Sequence, residues 1–122
     1  MTEMSPEEVV AELLERFRKG DVDGMVELFA DDAVYHNMPL EPAVGAAAIR
    51  DLLAGFAGMM VDLTIDVHHQ LAGGALVMQE RTDAFTMGET RVSVPVSGVF
   101  EIEDGRIRRW REYFDMSQAS GQ

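Results

Sequence analysis

Val61-Asp62-Leu63-Thr64-Ile65-Asp66-Val67-His68-His69-Gln70 decides the fold, because its apolar and polar residues alternate one by one. Successive side chains of a strand point to opposite faces, so Leu63, Ile65, Val67 and His69 are expected on one face and Asp62, Thr64, Asp66, His68 and Gln70 on the other. The period of two persists downstream. Gly73-Gly74 turns the chain into a strand from Ala75 to Thr86, and a turn near Gly88-Glu89 leads to another through Val92, Val94, Val96, Phe100 and Ile102. Pro95 cannot donate to a ladder and suggests an edge or a bulge there. Asp104-Gly105 is a hairpin signal, and Arg106 to Met116 is the expected last strand.

Upstream the spacing is helical. Ser5-Pro6-Glu7-Glu8 reads as a helix start with Ser5 as N-cap, Pro6 at the first helical position and Glu8 completing a capping box. Val9, Val10, Leu13, Leu14 and Phe17 form its apolar stripe, Gly20 ends it, and Asp21 caps a shorter helix. Asp31 to Asn37 reads as a short strand cut off by Pro39 and Pro42. From Gly45, Ile49, Leu52, Leu53 and Phe56 fall on one helical face. The order is helix, helix, short strand, helix and four long strands. This is an α+β fold: a curved, mixed, mostly antiparallel sheet covered by about three helices from the N-terminal half, with a pocket between the layers. The outer face of the sheet needs cover as well, and a homodimer packing sheet against sheet would supply it.

The chain has 122 residues, enough for one domain over its whole length without disulfides or a structural metal. No window approaches the roughly 18 apolar residues of a membrane span. The start, Met1 to Pro6, has neither a basic region nor an apolar signal core, and with zero Cys a cytoplasmic location is expected. A net charge of −12 argues against nucleic-acid binding, which needs a basic footprint, and makes an anionic substrate less suitable. His68 and His69, adjacent in a strand, are a poor arrangement for a shared metal, so no metal is expected.

Polar residues recur at spacings that bring them to shared faces. Tyr35 and Asn37 lie two apart, as do Arg81 and Asp83, and Asp115 ends the last strand on the face of Tyr113. Like charges close together do not both ionise comfortably, so one aspartate holds a proton while Arg81 steadies the other as an anion. Asp115 could then take a proton from a water held by Tyr35 and Asn37 while Asp83 protonates a leaving oxygen. Such push and pull fits the opening of a strained ring ether by water. A structural ion network and a turn-satisfying Tyr–Asn pair are the plainer alternatives. By parity, Leu53, Phe56, Val77, Phe85, Val94, Val96 and Phe100 form the apolar wall, with Tyr113 beside Asp115; Trp110 reads as core or dimer packing and His36 as surface or interface.

The set Tyr35-His36-Asn37-Met38-Pro39, Glu80-Arg81-Thr82-Asp83-Ala84-Phe85 and Trp110-Arg111-Glu112-Tyr113-Phe114-Asp115 resembles the limonene-1,2-epoxide hydrolase family, within the NTF2-like or SnoaL-like cone fold. The resemblance covers almost the whole chain. It implies that Asp115 activates water, Arg81 is the bridging cation, Asp83 protonates the epoxide oxygen, and Tyr35 and Asn37 hold the water. It also implies a homodimer, no cofactor and a small hydrophobic epoxide substrate. The well-known members carry a longer N-terminal segment that helps to close the pocket. Two other readings stand beside this one. A ketosteroid isomerase or polyketide cyclase on the same fold would need an acid or base but no arginine gripping two carboxylates, and a non-catalytic ligand-binding module would need neither carboxylate for more than stability.

Overall fold

A computed structural model describes residues 3–119; the first two residues of the leader reading, Met1 and Thr2, lie outside them. The chain runs α1 (Pro6–Lys19), α2 (Val22–Val26), β1 (Phe29–Asn37), β2 (Ala43–Val44), α3 (Ala46–Met59), β3 (Val61–Gly73), β4 (Leu76–Met87), β5 (Thr90–Glu103), β6 (Arg106–Tyr113) and α4 (Met116–Ala119). The strands form one sheet in the order β2-β1-β6-β5-β4-β3. Among the described residues only β1 and β6 pair in parallel and the other pairings are antiparallel, giving the mixed sheet expected of the α+β class. No helix among the described residues is long and apolar enough to cross a membrane.

The first helix forms for the reasons its sequence states. Ser5 Oγ accepts from the Glu8 backbone N–H, and Glu8 accepts from the Ser5 N–H, satisfying two orphan donors at the helix start. Gly20 ends the helix at φ 72°, a left-handed position that costs glycine little. The buried stripe of α1 lies over β3, β4 and β5, while α3 covers β1 and β2. The core between the layers centres on Trp110, which stacks on Tyr35 at 4.1 Å and on Phe100 at 5.5 Å and meets Phe17 edge-on at 6.2 Å. Trp110 is therefore core, not outer-face packing.

Two of the register shifts in the sheet change which side chains face inward. In β3 a shift between Val67 and His69 turns the following residues over, so His68 reaches Thr82 at 2.8 Å and His69 reaches Glu80 at 2.9 Å, both on the outward side of β4. The two histidines thus share a face, contrary to strict alternation, yet no metal-ligating cluster occurs among the described residues. A second shift, at Glu101/Ile102 opposite β6, lets both Ile107 and Trp110 point inward. Strand β5 is interior, not an edge, and its pairing with β4 is unbroken at Pro95. Proline is accommodated because β6 reaches only as far as Ser97 along β5, leaving Pro95 with β4 on one side alone.

Candidate active site

The face of β4 that carries Val77, Gln79, Arg81, Asp83 and Phe85 is buried. Arg81 sits inside the sheet layer with 1% of its surface exposed. Its Nε and Nη2 donate to the two oxygens of Asp83 at 2.9 and 3.0 Å, a bidentate pair two residues along the same strand. The other side of the guanidinium faces β6: Nη1 donates to Glu112 Oε2 at 3.0 Å, and Nη2 donates to Glu112 Oε1. Arg81 thus bridges two buried carboxylates, as the sequence predicts, but the second is Glu112 and not Asp115.

The reason is where β6 ends. It stops at Tyr113, short of Met116, and the inward side from Trp110 onward is Trp110, Glu112 and Phe114. Tyr113 faces outward at 45% exposure. Asp115 has left the sheet and stands at the start of α4, where its Oδ1 accepts from the Ser117 N–H at 2.9 Å and hydroxyl at 2.8 Å. Those bonds hold its exposed carboxyl below the ordinary range. Among the described residues no hydrogen bond or ion pair joins it to Arg81. Glu112 was readable in principle, lying two residues after an inward tryptophan.

Tyr35 and Asn37 do point inward, both buried, and β1 pairs with β6 so that Tyr35 sits beside Trp110 and Asn37 beside Glu112. Asn37 Nδ2 makes no hydrogen bond of regular geometry among the described residues, although its side chain lies near enough to the Tyr35 phenol to interact with it. A buried donor on a cavity wall is poised for a bound molecule. Burial drives the Tyr35 phenol far above its usual value, with the Glu112 charge acting in the same direction, so it remains a neutral O–H. Burial also raises Glu112 although Arg81 pulls the other way, and Asp83 adds to the rise. For Arg81, burial opposes the charge, but Glu112 and Asp83 outweigh it and the guanidinium stays protonated.

These groups end in a cavity of about 270 Å³. Tyr35, Asn37, Asp83 and Glu112 line it, while Arg81 stands behind the carboxylates and does not. The remaining wall is apolar: Phe17, Leu40, Phe56, Met59, Met60, Phe85, Met87, Val94, Val96, Phe114, Met116 and Ala119. Of the wall expected from parity, Phe56, Phe85, Val94 and Val96 are lining residues. Leu53, Val77 and Phe100 face the same side but are sealed in the core at 0–1% exposure, and Tyr113 is outside. Met59 and Met116, each 46% exposed, mark the mouth. The methionines and Phe114 escaped parity because they lie at element ends, where alternation lapses. His36, half-buried, bonds the Leu40 carbonyl at 3.0 Å and takes no part in the cavity.

The chain is similar to known proteins over most of its length. Residues 4–120 match the model of the limonene-1,2-epoxide hydrolase catalytic domain. The chain is 37% identical to epoxide hydrolase EphG of Mycobacterium tuberculosis (strain ATCC 25618 / H37Rv), over 95% of its own length and 83% of that protein. A solved M. tuberculosis LEH-like epoxide hydrolase superposes with TM-score 0.79 at 36% identity, covering 90% of this chain and 82% of that one. SalBIII, an epoxide hydrolase/cyclase-like enzyme with a role in pyran ring formation in the polyether salinomycin, superposes with TM-score 0.83 at 27% identity over 93% and 92% of the two chains. The fold itself is shared with NTF2-like proteins of much lower identity.

Proposed function

The chain belongs to the limonene-1,2-epoxide hydrolase family, and from that premise we propose that it opens a hydrophobic epoxide of terpene, cyclic or lipid type to a vicinal diol by direct attack of water. The observation that carries this reading is the clamp: one buried guanidinium holding two carboxylates that both reach the wall of an apolar cavity. One cation gripping both carboxylates fixes a base and an acid at separate points on the cavity wall.

Glu112 takes the role that parity gives to Asp115. It lies beside Asn37 in the strand register, and Tyr35 and Asn37 supply the O–H and amide groups that orient a water against it. Glu112 removes a proton from that water as its oxygen bonds to an epoxide carbon. The carbon–oxygen bond of the ring breaks, and Asp83 gives its proton to the oxygen released. The cluster of Glu112, Arg81 and Asp83 ends with the charge it began with. Arg81 touches neither reactant and acts by fixing both acids. The lining bears no cation, which suits an uncharged substrate.

Incubation with a panel of cyclic and aliphatic epoxides in H₂¹⁸O tests the route. Label is expected in the diol from the first turnover. First-turnover diol without label would mean a covalent ester on a carboxylate, and isomerisation of a ketosteroid with no diol from any epoxide would favour the isomerase reading. An unlabelled cyclic ether from a hydroxy-epoxide would show a substrate hydroxyl replacing water, the cyclase variant suggested by the likeness to SalBIII.

The same reading includes a homodimer through the outer face of the sheet. Leu71, Met78 and Leu76 are exposed there at 79%, 51% and 41% at one end of the β3–β4 pair. A second copy laid on that face would cover them.

A further inference from the structure

Arg81 rises from β4 and Glu112 from β6, with β5 between them. Strands lie about 4.8 Å apart, so the ion pair crosses roughly 10 Å of sheet over the backbone of β5. At the crossing point stands Gly98, which pairs with Glu112 on one side and Gln79 on the other and faces the buried side. A Cβ at this position would lie 2.6 Å from Glu112 Oε2, 2.7 Å from Arg81 Nη1 and 3.3 Å from Phe100 Cε1. The first two separations are closer than Cβ atoms come to anything in real proteins.

Conformation does not account for the glycine. Gly20, Gly45, Gly74, Gly88 and Gly105 have positive φ, but Gly98 does not, and it lies inside a regular antiparallel register where glycine weakens a strand. What it contributes is room. We propose that Gly98 is a positioning residue for the reaction: its missing side chain is the opening through which Arg81 reaches across β5 to hold Glu112 against the bound water. This rests on Glu112 as the base. A methyl group here would displace the ends of both ions, because the backbones of β4, β5 and β6 are fixed by their ladders. Glu112 would then remain buried while losing contact with its cation, and would hold its proton more firmly.

The test compares Gly98→Ala with the parent enzyme on cyclohexene oxide and limonene 1,2-epoxide, reading kcat, KM and the pH profile. Gly98→Ala is expected to lower kcat about a hundredfold, the scale of a roughly 1 Å misplacement, with KM little changed and the acid limb of kcat moved to higher pH. An unmoved acid limb with kcat retained would overturn the proposal. Melting temperatures supply a readout that needs no turnover. Gly98→Ala should cost much less in an Arg81→Met/Glu112→Ala background, where the two closest atoms are gone, than in the parent. Folding lost in the parent and kept in that background is the same result in stronger form. An equal loss in both, or failure to fold in both, would make Gly98 a packing residue and overturn its positioning role. An active Glu112→Gln enzyme, by contrast, would remove the base assignment while leaving the melting comparison intact.

Discussion

Burial opposes a charge on Glu112, and that cost shapes its chemistry. Its pKa is raised by burial, so as a base it loses its proton only above the ordinary glutamate value of about 4.3. We expect kcat/KM to fall as pH drops through a point above that value, measured on any epoxide the enzyme opens. The stability linkage has a matching sign. A carboxyl with a raised folded pKa contributes stability below its unfolded pKa and loses it as pH rises through the folded value. The melting temperature of the parent relative to Glu112→Gln should therefore decline with rising pH across that window. At this scale the sequence is legible where a strand is continuous. Arg81 with Asp83, and Tyr35 with Asn37, each share a face because nothing interrupts alternation over two residues. Asp115 was not placed by the same rule, since the strand beneath it had already ended.

Elements were legible where their ends are written in side chains. The capping box of α1, its Pro6 and the Gly20 stop all stand where the sequence puts them. Ser5→Ala removes one partner of the reciprocal pair and should cost about 1 kcal/mol by chemical denaturation, with turnover unchanged. A loss near zero would mean that packing of Val9, Val10, Leu13 and Leu14 alone sets the helix. Other elements left no such mark. Strand β2 is two residues long, α4 is four, and the shift at Val67/His69 depends on how β3 meets β4 rather than on either sequence alone. These short or shifted pieces decide that Phe114 and Met116 join the cavity, and that the histidines face outward together.

The whole molecule joins a rigid polar end to an adaptable apolar one. Around Tyr35, Asn37, Asp83 and Glu112 the groups are fixed by ladders, ring stacking and the Arg81 clamp, whereas the mouth is largely methionine, a flexible side chain that fits irregular shapes. The fold class followed from element order, but the content of the cavity depended on tertiary closure by α3 and α4. For the proposed dimer, sedimentation should give twice the mass of one chain, and Leu71→Asp with Met78→Asp should halve it by placing charges in a desolvated contact. A parent protein sedimenting as one chain would remove the dimer. Whether the carboxylate facing Arg81 activates the water is decided by the paired turnover of Glu112→Gln and Asp115→Asn. Glu112→Gln should lose kcat by about a thousandfold or more while folding normally, and Asp115→Asn should keep it. Activity surviving in Glu112→Gln and lost in Asp115→Asn would make Asp115 the base instead.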